Sequence, residues 1–170
     1  MWLKHATTLK FEYVDNGNAD IRVGFQEGDG HWSYLGKEIR NIPPNQRTMN
    51  FGWRHNTQIP DGEIERVAVH EMGHSLGLIH EQSQPKANID WDEDKVYEYF
   101  ERTQGWNREE TFHNVLERYS NKITQYSDYD QTSIMHYSFP GFLLKSGQDI
   151  TGGNKLSETD KQFAKEHWGQ

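Results

Sequence analysis

The chain has 170 residues, a formal charge of −8 from 18 basic and 26 acidic side chains, and no cysteine. That length suits one compact domain, and the acidic balance excludes the positive surface that nucleic acid or anionic lipid requires. Without cysteine there is no thiol nucleophile, no disulfide framework and no thiolate metal site.

Leu9 to Val14 and Ala19 to Phe25 carry apolar residues at alternate positions on either side of Asp15-Asn16-Gly17-Asn18, which predicts two strands joined by a turn. Trp32 to Ile39 and Thr48 to Trp53 read as two more strands. Gly28-Asp29-Gly30 reads as a tight turn, because it has neither the lysine of a P-loop nor the spacing of a dinucleotide site. From Gly62 the period changes. Asp61 is placed to cap, Glu63 and Glu65 favour a helix N-terminus, and Ile64, Val67, Ala68, Met72 and Leu76 space as one helical face that Gly77 ends. Further helices are predicted from Trp91 to about Thr103, from Glu109 to Tyr119 and from Glu158 to Trp168. The acidic run Asp90, Asp92, Glu93 and Asp94 lacks the glycine and terminal glutamate of a calcium loop and suits a helix start. Strands followed by helices predict an α+β fold. No apolar run approaches the roughly 20 residues that span a bilayer, and the N-terminus has no apolar signal core.

Three of the nine histidines fall in one stretch, His70-Glu71-Met72-Gly73-His74-Ser75-Leu76-Gly77-Leu78-Ile79-His80. Residues i and i+4 share a helix face, so His70 and His74 can aim at one ion; Gly77 then lets the chain turn and return His80 as a third ligand. Three neutral imidazoles with an open fourth position are the pattern of a catalytic zinc ion. Glu71, next to the first ligand, is placed to accept a proton from a zinc-bound water as general base. The plain alternative is a helix with ordinary polar histidines; the helix-ending glycine and the third histidine at its offset weigh against it. A purely structural zinc site would carry four protein ligands. Ser75 lies inside the metal motif and no Gly-x-Ser-x-Gly elbow exists, which sets serine hydrolysis aside.

These eleven residues resemble the signature of the metzincin clan of zinc endopeptidases, and Glu81 narrows the resemblance to the astacin family. Ser133-Ile134-Met135-His136-Tyr137 is similar to that family's Met-turn. Ser33-Tyr34-Leu35-Gly36 after Trp32 and Leu156-Ser157-Glu158-Thr159-Asp160 are similar to further landmarks, so the likeness runs along nearly the whole chain. It implies a metzincin-like α+β fold. A small twisted mixed sheet and the active-site helix would occupy a sheet-rich part, 1–77, and a mostly helical or irregular part, 78–170, would carry the Met-turn, the whole forming one catalytic domain over 1–170.

The resemblance also implies roles: Met135 as an apolar floor beneath the ion, Tyr137 as a resting fifth ligand that swings to hydrogen-bond the oxyanion, and His136 turned elsewhere. Trp32, Ser33 and Tyr34 would form the edge strand that pairs with an extended peptide. The residue matching Glu81 pairs, in the family, with the trimmed N-terminus of the mature enzyme. The chain opens at Met1-Trp2-Leu3-Lys4-His5-Ala6, similar only to the last turns of a helix that astacins carry, so truncation at the N-terminus is expected. Its lack of cysteine is more like bacterial members. The expected protein is a secreted, monomeric zinc endopeptidase with one Zn2+, a polypeptide substrate, and neither nucleic acid nor membrane as partner. A catalytically idle, zinc-bound peptide-binding module is the second reading.

Overall fold

The computed structural model describes residues 1–15, 18–119 and 128–169, in two compact units, Met1–Ile79 with Asp160–Gln170 and His80–Thr159. In the first unit, strands β1 (Val23–Gly24), β2 (Trp32–Ser33) and β3 (Met49–Asn50) form a mixed sheet in the order β1-β3-β2. Val23 aligns with Met49 in the parallel pair, and Ser33 aligns with Met49 in the antiparallel one. The fold is α+β, as the order of elements predicts.

The strands are shorter than the alternation predicts, and Leu9–Val14 forms none. Tyr13 is 89% exposed and Phe11 and Val14 are also exposed, so neither face of that segment is buried against a neighbour. A period of two gives a strand only where a partner ladder and a covered face exist. Asn16 and Gly17 of the predicted turn lie outside the described residues. The strand expected to run to Ile39 stops because Gly36 takes φ +48° and opens a 3-10 turn, Gly36–Asn41. The fully buried Asn50 side chain secures the segment before β2: its Oδ1 accepts from the Gln26 amide at 2.9 Å and its Nδ2 donates to the Gly30 carbonyl at 2.8 Å.

Helix α1 (Asp61–Leu76) packs Val67, Ala68 and Met72 with Met49, Phe51, Ile21 and Trp53. Pro60, not Asp61, occupies the N-cap position, and Asp61 and Glu63 stand in the first turn, where they favour the dipole. Ile64, expected inward, is 39% exposed. Trp2 is buried, and its indole N–H donates to the Val69 carbonyl of α1 at 2.8 Å.

The second unit holds α2 (Glu93–Gln104), closed by Gly105 in the left-handed region, and α3 (Arg108–Thr111). The helix predicted over Glu109–Tyr119 starts earlier and changes pitch. Asn107 and Glu110 form a capping box, and after Thr111 the chain widens into a π turn, Phe112–Leu116, that carries the fully buried Val115. Ala87, Ile89, Trp91, Val96, Phe100, Phe139 and Leu143 belong to its core. Asp90 accepts from the Ser146 amide at 2.7 Å and Asp92 pairs with Lys95 at 2.7 Å, so two of the clustered acids have ordinary structural partners. Helix α4 (Glu158–Trp168) matches its prediction.

Gly77 ends α1 with φ +100°, and its surroundings leave room for a methyl group, whose nearest contact would be Gly36 Cα at 3.8 Å. Gly77→Ala therefore tests conformation alone. It is expected to cost about 1–2 kcal/mol, the penalty of a left-handed non-glycine residue, read as a lower urea midpoint with an unchanged m-value.

Candidate metal centre

Helical spacing puts His70 and His74 on one face of α1, with ring centroids 4.8 Å apart and planes at 89°. Both are buried. The chain then leaves the helix through two backbone bonds: the Gly77 amide donates to the His74 carbonyl at 2.8 Å, and the Leu78 amide to the Gly73 carbonyl at 3.0 Å. This turn also holds a ligand. Nδ1 of His74 donates to the Leu78 carbonyl at 2.8 Å, which fixes the tautomer and leaves Nε2 with its lone pair. His80 follows at the start of a 3-10 turn, Glu81–Ser83. One ligating atom from each of His70, His74 and His80 lies within 4.8 Å of the others.

The donor set fits zinc. Burial pushes His74 below the ordinary imidazole value, so the ring is neutral and can donate its lone pair. All three donors are nitrogen, whereas calcium and magnesium are held by oxygen. The three histidines are thus positioned for a single zinc ion.

Glu71 sits between these ligands in sequence and is 4% exposed. Burial pushes its carboxyl up to about 8, partly opposed by the guanidinium of Arg66. Its Oε2 has no hydrogen-bond partner among the described residues. A divalent cation at the neighbouring imidazoles would favour the carboxylate further. Arg66, which sequence reasoning passed over, is itself held by Glu63 through Nε at 2.8 Å and Nη2 at 2.7 Å. The Glu63-x-x-Arg66 spacing on a helix was its available signal.

In the second unit, Met135 is 1% exposed, and its carbonyl accepts from the Glu81 amide at 3.0 Å. The Tyr137 ring lies 4.3 Å from that of His80, tilted by 48°. His136 is turned to other partners: Nδ1 donates to the Tyr137 carbonyl at 2.6 Å, and Nε2 accepts from the Tyr129 hydroxyl at 2.9 Å. Oε1 of Glu81 accepts from the Asp130 amide at 2.8 Å and from the Gln84 side chain at 2.7 Å.

Trp32 and Ser33 lie in β2, at the end of the strand order, and the Tyr34 amide donates to the Thr48 carbonyl at 3.0 Å. Ser33 and Ser75 share a hydrogen bond of 2.9 Å, so β2 is fastened to the metal-binding helix. Ser75 also donates to the Glu71 carbonyl at 3.4 Å, which gives it a structural partner on both sides. Sequence reasoning did not find Arg47 and Asp29. Arg47 lies over the Trp32 ring, 5.3 Å from its centroid, and Asp29 accepts from the Trp32 indole at 3.1 Å.

The chain is similar to several known proteins. Zinc metalloproteinase nas-36 of Brugia malayi is 32% identical over 140 residues, 81% of this chain and 20% of its own length. Protein SpAN of Strongylocentrotus purpuratus is 32% identical over 151 residues, 85% and 21% of the two chains. The chain thus spans about a fifth of the length of these curated relatives. The solved structure of myroilysin superposes with a TM-score of 0.93 at 41% identity, covering 99% of this chain and 82% of that one. The hatching enzyme HCE-1 of Oryzias latipes, a zinc-protease, shares the fold at a TM-score of 0.55 and 17% identity, covering 91% of this chain and 72% of its own. The family model of the astacin peptidases matches residues 2–159, and the chain belongs to the astacin family.

Proposed function

We propose that the chain is a zinc-dependent endopeptidase that hydrolyses peptide bonds in extended polypeptides, with residues 1–170 as a single catalytic domain. The reading rests on one observation: three imidazole nitrogens lie within 4.8 Å of one another, and the intervening Glu71 keeps a buried carboxylate oxygen with no hydrogen-bond partner among the described residues. In the family, such enzymes work outside the cell, and an extracellular setting follows for this one.

His70, His74 and His80 would hold the ion, which supplies a water with its pKa lowered to about 7 and a Lewis acid for the scissile carbonyl. Glu71 would act as general base, its buried oxygen taking a proton from the attacking water as a bond forms to the carbonyl carbon. It would then deliver that proton to the departing nitrogen as the C–N bond breaks, and the second water proton would follow to the same nitrogen, leaving a carboxylate and an ammonium group. The Tyr137 hydroxyl would donate a hydrogen bond where the carbonyl oxygen gains charge, and by family resemblance the same phenol would help hold the ion at rest. Met135 supplies an apolar floor, while Gly77 and Glu81 hold the turn that returns His80. The substrate lies extended along β2, its main chain paired with the strand that carries Trp32 and Ser33 and continues into Tyr34.

Incubation with casein is expected to give fragments, and saturable binding without cleavage would support the idle module instead. Chelation should remove activity and one equivalent of zinc should restore it; activity that survives complete metal removal would refute the mechanism. Glu71→Gln is expected to keep zinc and lose about 10³-fold in kcat, because the ligands remain and the base is gone. Tyr137→Phe is expected to lose less, about tenfold to a hundredfold in kcat, because metal, base and alignment persist. A Tyr137→Phe protein without bound zinc would contradict the assigned role.

A further inference from the structure

His136 takes no part in the proposed reaction, yet it is 2% exposed with both ring nitrogens engaged. Burying a polar ring is unfavourable unless its partners are supplied, so a satisfied imidazole at this position calls for a reason that an apolar side chain would not meet. Its neighbours suggest one. The carbonyl that accepts from Nδ1 belongs to Tyr137 itself. The other main-chain group of that residue, the Tyr137 amide, donates to Oε1 of Gln82 at 3.4 Å, and Gln82 is 1% exposed. Buried side chains therefore hold the backbone of Tyr137 on both sides.

The imidazole is itself held. A carbonyl can only accept, so Nδ1 carries the proton and Nε2 offers its lone pair to the Tyr129 hydroxyl. Tyr129 is anchored by the next residue: the Asp130 amide donates to Glu81, the Asp130 carbonyl accepts from the Ser133 amide at 3.0 Å, and the Asp130 carboxylate accepts from the Thr132 amide at 2.9 Å. Behind the turn there is no slack, because a methyl group at Gly152 would overlap the His136 carbonyl. A fully satisfied buried network of this kind rigidifies what it touches.

We propose that Tyr129 and His136 are positioning residues for Tyr137: through the chain Tyr129 hydroxyl, His136 ring, Tyr137 carbonyl, they fix the pivot from which the phenol reaches the reacting carbonyl oxygen. The inference rests on the role given to Tyr137 under the proposed function. It also gives a purpose to the histidine that the Met-turn places between Met135 and Tyr137.

The test is a double-variant cycle on the zinc-loaded protein, with a peptide taken from a casein cleavage site as substrate. Tyr129→Phe removes only the hydroxyl. It is expected to keep full zinc content, the parent thermal midpoint within a few degrees and the parent KM, and to lower kcat about fivefold to tenfold, the size of one neutral hydrogen bond. In a Tyr137→Phe background the same substitution should change kcat by less than about twofold, because a pivot without its hydroxyl has nothing left to aim. Calorimetric binding of a peptide analogue with a tetrahedral phosphinate at the scissile position should repeat the pattern without turnover: weaker binding in Tyr129→Phe, and no additional weakening on Tyr137→Phe. An unchanged kcat in Tyr129→Phe, an equal loss in both backgrounds, or a loss of zinc or folding would each overturn the inference. Tyr137→Phe alone reports separately on the underlying reading: if it is as active as the parent, the role of Tyr137 fails and the inference falls with it.

Discussion

The turn that ends α1 is the constraint on which the metal centre depends. Only glycine occupies φ +100° without strain. Once Gly77 takes it, the Leu78 amide is committed to Gly73 and the Leu78 carbonyl is presented to His74. One backbone event thus stops the helix, fixes the tautomer of a ligand and starts the path to His80. The pairing of Gly36 with Gly77 extends the same constraint to the sheet side, because a Cβ on Gly36 would stand 3.1 Å from Gly77 Cα. A second glycine is needed there because the two backbones run so close.

Around that turn the electrostatics are unusual for an interior. Two buried imidazoles and a buried carboxyl share one stretch of one helix, and burial penalises the charged form of each kind of group. The neutral ring of His74, beside a carboxyl held up to about 8, belongs to a site that a divalent cation would stabilise. Arg66 supplies a partial counter-charge to Glu71 from the same helix, and Glu63 steadies Arg66 in turn. The helix is thus a scaffold for chemistry on one side and a packing element on the other, where Val67, Ala68 and Met72 face the sheet cluster.

Sequence and structure agree best where the signal is local. His70 and His74 are related by a helical repeat, Gly77 by a backbone conformation that few residues accept, and α4 by an amphipathic pattern that needs no distant partner. The strands are less legible because pairing is not local: Leu9–Val14 alternates as a strand does, but no ladder forms there. The start of α3 is written in the chain as Asn107-x-x-Glu110, a capping signal that the apolar spacing further on obscures. The partners of His136, Glu81 and Trp32 come from positions separated along the chain, at Tyr129, Asp130 and Arg47, and no spacing rule could have named them.

The most direct test of the centre is X-ray absorption at the zinc edge on the zinc-loaded protein. Three imidazole nitrogens at about 2.0–2.1 Å, with the remaining positions filled by oxygen from solvent or the Tyr137 phenol, are the shell that His70, His74 and His80 should give. A shell with fewer than three imidazoles, or one closed by a fourth nitrogen from the chain, would contradict the convergence on which the catalytic reading stands.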